Sequence, residues 1–158
     1  RLFQLNRAVL RLSSTNTATA DAARATLKQF SSDTNLATAA LRSLVADRLM
    51  HNDAAGALDY STQLLATAQV NVGDRLQQLG ILERLKNPGL LPQLKSLQQS
   101  ATNAATAAQV ASWMTANNFS ADTVLWLTNL PASLQTQTPV RLASGWLAAT
   151  PGDASVTP

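Results

Sequence analysis

The chain has 158 residues, 46% of them apolar, with 12 basic against 9 acidic side chains, one His and no Cys. That length holds one compact domain or about four and a half helical hairpins, and the apolar share is ordinary for a protein with a continuous core. Absent cysteine excludes disulfides, thiolate metal sites and thiol catalysis. Scattered basic residues with no run of three make no nucleic-acid groove, and no apolar run approaches the ~18–20 residues that span a bilayer.

The apolar residues are mostly Ala and Leu, with a single Ile at 81. These are helix formers, whereas sheets favour β-branched and aromatic residues. Glu83 is the only Glu, so the polar surface is built from Thr, Gln, Ser and Asn. Such a lightly charged surface repels itself little and suits a subunit packed inside an assembly. Lineage-specific composition bias produces the same pattern.

Helical spacing of apolar residues predicts the elements in chain order. Residues 1–13 form a helix with Leu2, Leu5, Val9 and Leu12 on its inner stripe, and a polar turn follows. Residues 18–30 turn Ala22, Ala23, Leu27 and Phe30 inward. Asp33 can then accept from the free N–H groups of the next helix. That helix, 34–51, carries Leu41, Leu44, Val45 and Leu49. Asn52-Asp53 separates it from a helix over 54–67, with Ala57, Leu58, Leu64 and Leu65 inward.

Beyond a loop at 69–73, residues 74–86 place Leu76, Leu79, Leu82 and Leu85 on one stripe. Asn87-Pro88-Gly89 breaks that helix, because Asn and Gly suit a C-terminus and Pro cannot continue. The return helix, 90–100, tolerates Pro92 in its first turn. An Ala-rich helix covers 103–117. Ser120 caps a helix over 121–129 that carries Val124, Leu125 and Leu127. Residues 132–138 are a polar loop, and Pro139 opens a last helix to Ala149, stopped by Thr150-Pro151-Gly152.

The breaks recur. Asp21, Asp53, Pro88, Asp122 and Asp153 lie 31 to 35 residues apart, a period that signals two-helix repeats stacked in a solenoid. The expected hairpins are about 1–31, 33–68, 73–101 and 103–131, with an incomplete fifth at 138–158, all in one domain, 1–158. The first residue is Arg, inside an amphipathic stretch, and the end falls mid-repeat. The sequence is therefore expected to be a piece of a longer or processed protein.

Catalytic and ligand motifs are sparse. There is no Walker loop, no Gly-x-Gly-x-x-Gly, no His-Glu-x-x-His and no EF-hand clustering of acids. His51, beside Asn52-Asp53, suits a helix C-terminus, where it favours the dipole or caps a carbonyl; no second His completes a metal or catalytic site. A carboxylate pair for glycoside hydrolysis would have to be Asp47 with Glu83 across a cleft. Trp113 and Trp146 are one period apart, with Trp126 between them. They read as packing between hairpins or as an aromatic binding patch.

On these motifs the chain resembles the tetratricopeptide repeat family, whose first helix carries a large apolar residue, two spacers and Leu-Gly, and whose second carries a small residue near its start. Leu76-Gln77-Gln78-Leu79-Gly80 matches best. Leu41-Arg42-Ser43-Leu44-Val45 keeps the spacing with Val at the small position, Ala57 matches the small residue, and Leu142 and Gly145 match loosely. Pro88, Pro92 and Ala107 depart from the pattern.

The resemblance implies an all-α fold of antiparallel hairpins stacked as a right-handed solenoid, about four and a half repeats long. It implies a non-catalytic scaffold, without cofactor or metal, that binds a protein or peptide on a concave face lined by first helices. Arg42, Asp74, Gln77, Arg84, Ser112 and Thr115 would point into that face. Arg42 and Arg84 would grip a peptide carboxylate bidentately. Two alternatives stand beside it. One is a structural subunit of a larger assembly, extracytoplasmic or filamentous; the other is a helical-scaffold glycosidase that depends on Glu83.

Overall fold

A computed structural model of the protein describes residues 1–149, all of whose regular structure is α-helical. In order these are α1 (Leu2–Arg11), α2 (Thr17–Phe30), α3 (Ala37–Met50), α4 (Ala54–Leu65) and α5 (Val72–Arg84). There follow α6 (Leu90–Ser100), α7 (Ala104–Ala116), α8 (Ser120–Thr128), α9 (Ala132–Gln135) and α10 (Thr138–Ala149). The chain divides into two compact units, Arg1–Pro92 and Gln93–Pro158, each described here by itself. The expected break at Gly152-Asp153 and the side chain of Trp146 lie outside the described residues.

Asn and Asp side chains start four of the helices by accepting from backbone N–H groups that have no partner within the helix. Asn16 accepts from Thr19 (3.1 Å), Asp53 from Gly56 (2.8 Å) and Asn103 from Thr106 (2.9 Å). At α5 the cap is reciprocal: Asn71 accepts from the Asp74 N–H at 3.0 Å, and Asp74 accepts from the Asn71 N–H at 2.9 Å. Asp33 takes the N–H groups of Asn35 and Leu36, which lie in a turn before α3, because that helix starts at Ala37 and not at 34 as expected. Ser120 is not a cap. Helix α8 begins one residue earlier than expected, its N-cap being Phe119, with no side-chain cap bond.

The 33-residue beat has a physical form in the turns between helices. Asn52, Lys86 and Asn118 adopt positive φ (56°, 49° and 66°), and no other non-Gly residue does so among the described residues. Each follows a helix end, and in each case the next residue closes a 6→1 bond. Asp53 N–H donates to the Arg48 carbonyl, Asn87 to Leu82 and Phe119 to Met114, all at 2.9 Å. That is the Schellman arrangement, in which a left-handed residue lets the chain satisfy the last carbonyls and reverse. It ends α3, α5 and α7, at intervals of 34 and 32 residues. The α1–α2 turn lacks it.

In the first unit the helices pack in sequence, α1 on α2, α2 on α3, α3 on α4 and α4 on α5, and α1 also touches α3. Leu5 and Ala8 of α1, Ala23 and Leu27 of α2, and Ala40 and Leu44 of α3 form one core. Val45, Ala57 and Ile81 form a second, joining α3, α4 and α5. On α1 the expected inner stripe is displaced: Leu2 and Val9 are exposed while Ala8 is buried, because the helix carries two apolar arcs and only one meets a neighbour. On α5, Leu79 and Leu82 are buried as expected, with Ile81 and Gln78 beside them, and Leu85, the C-cap, is exposed.

In the second unit Ala101, Ala104, Ala107 and Ala111 pack with Leu127, Leu130, Leu134 and Val140. Leu134 belongs to α9, a single turn inside what the sequence suggested was a loop. The Gln135 amide fixes that turn by donating to the carbonyls of Thr128 and Leu130. Of the apolar residues that α8 carries, Leu127 is buried while Val124 and Leu125 are exposed.

Helix α5 gives a paired stability prediction. A Cβ at Gly80 would meet nothing within 4 Å, so close helix approach does not require this glycine. Lys86 pays the steric cost of a left-handed backbone. Gly80→Ala and Lys86→Gly should each stabilise the protein by about 0.5–1 kcal/mol. Urea unfolding checks both, as a raised midpoint at constant m; a lowered midpoint for either would contradict the local geometry.

Candidate functional groove

A groove of about 590 Å³ runs along α1, the α1–α2 turn and α3. Val9 comes from α1 and Leu12 from its C-cap, Ser13 to Thr15 from the turn, and Arg42, Ser43, Ala46, Asp47, Met50 and His51 from α3 and its end. The α3 residues recur at helical spacing, which puts them on one face. One wall is apolar, formed by Val9, Leu12, Ala46 and Met50, and Met50 is 75% exposed. The rest is polar, with Arg42, Asp47 and His51.

Those polar groups are held by partners from neighbouring helices. Arg24 of α2 donates to both oxygens of buried Asp47, Nε to Oδ2 at 2.8 Å and Nη2 to Oδ1 at 3.0 Å. It also donates to Asp21 at 2.8 Å. The Asp47 hydrogen bond is the main reason that the Arg24 guanidinium is held above its usual pKa, against an opposing burial cost. His51 sits at the C-cap of α3 with Nδ1 2.7 Å from the Asp47 carbonyl. Nδ1 donating there leaves Nε2 to accept from Arg24 Nη2 at 3.5 Å. The histidine thus caps a helix end, as its sequence position suggested.

Arg42 makes the matching bridge between α3 and α5. Its Nε and Nη2 donate to the two oxygens of Asp74, each at 2.8 Å, and Nη2 also reaches the Gln69 carbonyl at 3.0 Å. The Arg42 hydrogen bond holds the Asp74 carboxyl below its usual pKa, outweighing burial, with the Asn71 N–H helping. Arg42 is raised in return.

Of the residues that the resemblance pointed toward a partner, Arg42 and Asp74 are therefore brought together, with each other. Arg42 lines the groove, but the edge of its guanidinium that would fork a carboxylate is occupied by Asp74, itself buried. Gln77 is half-buried and Arg84 exposed on α5, and neither lines this groove. Ser112 is exposed on α7; Thr115 is half-buried and returns its hydroxyl to the Ala111 carbonyl. These two belong to the second unit. Sequence spacing missed Met50, Val9 and the Arg24–Asp47 pair. The Arg lies 23 residues from its partner on a different helix, a distance no local pattern encodes.

The carboxylate considered for glycoside chemistry, Asp47, is engaged by Arg24, and Glu83 is half-buried on α5. Trp113 stacks on Phe119 (centroids 6.2 Å apart, planes at 18°), and Trp126 packs against the core of the second unit. Among the described residues no three His, Cys, Asp or Glu side chains are grouped to hold a metal. No helix among them is long and apolar enough to cross a membrane. Comparison with protein-family models, curated proteins and solved structures gives no match to this chain.

Proposed function

We propose that the protein is a non-catalytic interaction scaffold, a tetratricopeptide-like stack of hairpins that holds a protein or peptide in the α1–α3 groove. The observation that carries this is the groove itself: an apolar strip that includes the exposed Met50, beside polar groups fixed by ion pairs to buried carboxylates. A rigid polar frame beside a soft apolar strip suits a bound segment, because the partner pays for its own ordering and not for that of the site. Methionine adapts its shape to irregular partner side chains. Arg42, still partly open, contributes charge to the groove, and Gln77 and Arg84, outside its lining, would meet only a partner that runs on along α5.

The test is recovery of bound proteins from the native source on immobilised wild-type chain and on two variants. Met50→Glu puts a charge in the groove without touching a core residue. Arg42→Ala/Arg84→Ala removes the proposed cationic contacts and is compared at equal folded fraction, because it also leaves Asp74 buried without its guanidinium. A discrete partner should be retained by the wild type, lost with Met50→Glu and weakened with the double variant. A partner held equally by all three would remove the groove from the account.

A second reading, a structural subunit within a larger assembly, is favoured by one observation: Leu2, Phe3 and Leu10 of α1, and Val124 and Leu125 of α8, are exposed.

A further inference from the structure

The outer side of α1 carries two surfaces that the groove does not use. Leu2, Phe3 and Leu10 are 62%, 75% and 78% exposed. Spaced by one and seven residues, they form a stripe two turns long on one side of the helix. Along the adjacent edge run Gln4, Arg7 and Arg11, spaced three and four apart, on the rim of a separate cavity of about 350 Å³ between α1 and α2. Thr19, Thr26 and Gln29 of α2 line its other side, and no carboxylate lines it.

The charge on this edge is not answered within the unit. Helix α1 contains no Asp or Glu. Arg1 is tied to Asp33 at 2.6 Å, and Arg24 takes Asp21 and Asp47. Among the described residues Arg7 and Arg11 form no ion pair. Like charges four residues apart on a helix repel, so this pair is a local cost that a complementary partner would relieve.

We propose that this face docks an amphipathic helix of a separate protein, with an apolar ridge against Phe3 and Leu10 and Glu or Asp side chains reaching the Arg7–Arg11 edge. Charge complementarity selects that occupant. A second copy of the chain, meeting α1 with α1, would bring two arginine pairs together. A bilayer needs a continuous apolar face, whereas this stripe is interrupted by exposed Asn6, and its charges border a crease between two helices. Helices pack by setting ridges into grooves, which this surface offers. The face is distinct from the α1–α3 groove, and the proposal does not depend on a partner there.

The test uses the whole chain and two synthetic helical peptides with the same leucine stripe, one flanked by Glu and one by Lys. Fluorescence anisotropy should show the Glu peptide binding on the order of tenfold more tightly than the Lys peptide. Arg7→Glu/Arg11→Glu should reverse that preference. Phe3→Ser/Leu10→Ser should weaken the Glu peptide by about the same factor without moving the melting curve, since both side chains are exposed. Met50→Glu, in the groove, should leave the peptide affinity unchanged, which separates this face from that site. Equal affinity for the two peptides, or none for either, overturns the proposal. So does a preference that survives charge reversal, binding to phosphatidylserine vesicles in place of the peptide, or self-association in sedimentation that Phe3→Ser/Leu10→Ser abolishes.

Discussion

Arg24→Ala should destabilise the protein by about 2–3 kcal/mol, and Asp47→Ala by about half as much, although both remove the same ion pair. The asymmetry follows from what each change leaves behind. Asp47 is 4% exposed, and Arg24 is the one cation that donates to both of its oxygens. Without Arg24 the carboxylate stays buried, with only the His51 ring nearby at 3.6 Å. An uncompensated buried charge costs about 3–5 kcal/mol, and the loss here falls at or just below that range because the Arg24 side chain is 26% exposed and water can follow its removal. Losing Asp47 instead leaves Arg24 with Asp21 at 2.8 Å and with solvent. Replacing both with apolar residues of similar volume, as in Arg24→Met/Asp47→Leu, should come within about 1 kcal/mol of wild type. Urea unfolding of Arg24→Ala, Asp47→Ala and Arg24→Ala/Asp47→Ala measures the coupling directly. Equal losses for the two singles, or a larger loss for Asp47→Ala, would show that the carboxylate does not depend on Arg24.

The same pair marks what the sequence could and could not disclose. Helix content and the hairpin beat were legible, because a chain that reverses after a helix leaves local marks. Asn52-Asp53, Asn87-Pro88 and Asn118 to Ser120 cluster the residues that end one helix and start another. The structure moves the beat by one to four residues, onto the left-handed positions Asn52, Lys86 and Asn118. Lys86 has no turn preference, so only its neighbours announced it. Hydrophobic periodicity also found real stripes but not their partners. On α1 it selected Leu2 and Val9 with Leu5, and the neighbouring helices cover Leu5 and Ala8 instead. Buried charge was invisible for a different reason. Asp47 and Asp74 look like surface residues until Arg24 and Arg42 arrive from 23 and 32 residues away. The candidate site was legible to the extent that Arg42 was placed in a groove. That its fork was already taken by Asp74, a residue selected for the same face, is a tertiary fact.

Leu44→Ala should cost about 3–4 kcal/mol, a large part of the roughly 5–15 kcal/mol that holds a typical domain together. Leu44 is 1% exposed and belongs to α3, which packs on α1, α2 and α4. The loss is kept well above the low end of the range for buried leucines by its neighbours. Ala8, Ala23 and Ala40 line the same core, and methyl groups fixed to helix backbones cannot swing into a void, so the cavity remains and its walls lose their contacts. Met50→Ala, six residues along the same helix but 75% exposed, should stay within about 0.5 kcal/mol of wild type. The two variants therefore separate fold from function on one element. Leu44→Ala lowers the urea midpoint at unchanged m, and any loss of partner binding it causes should disappear once the unfolded fraction is corrected for. Met50→Ala leaves the midpoint alone, so a loss of binding there belongs to the groove. A Leu44→Ala midpoint equal to wild type would mean that α1, α2 and α3 do not share the core described, and the groove between α1 and α3 would lose its foundation.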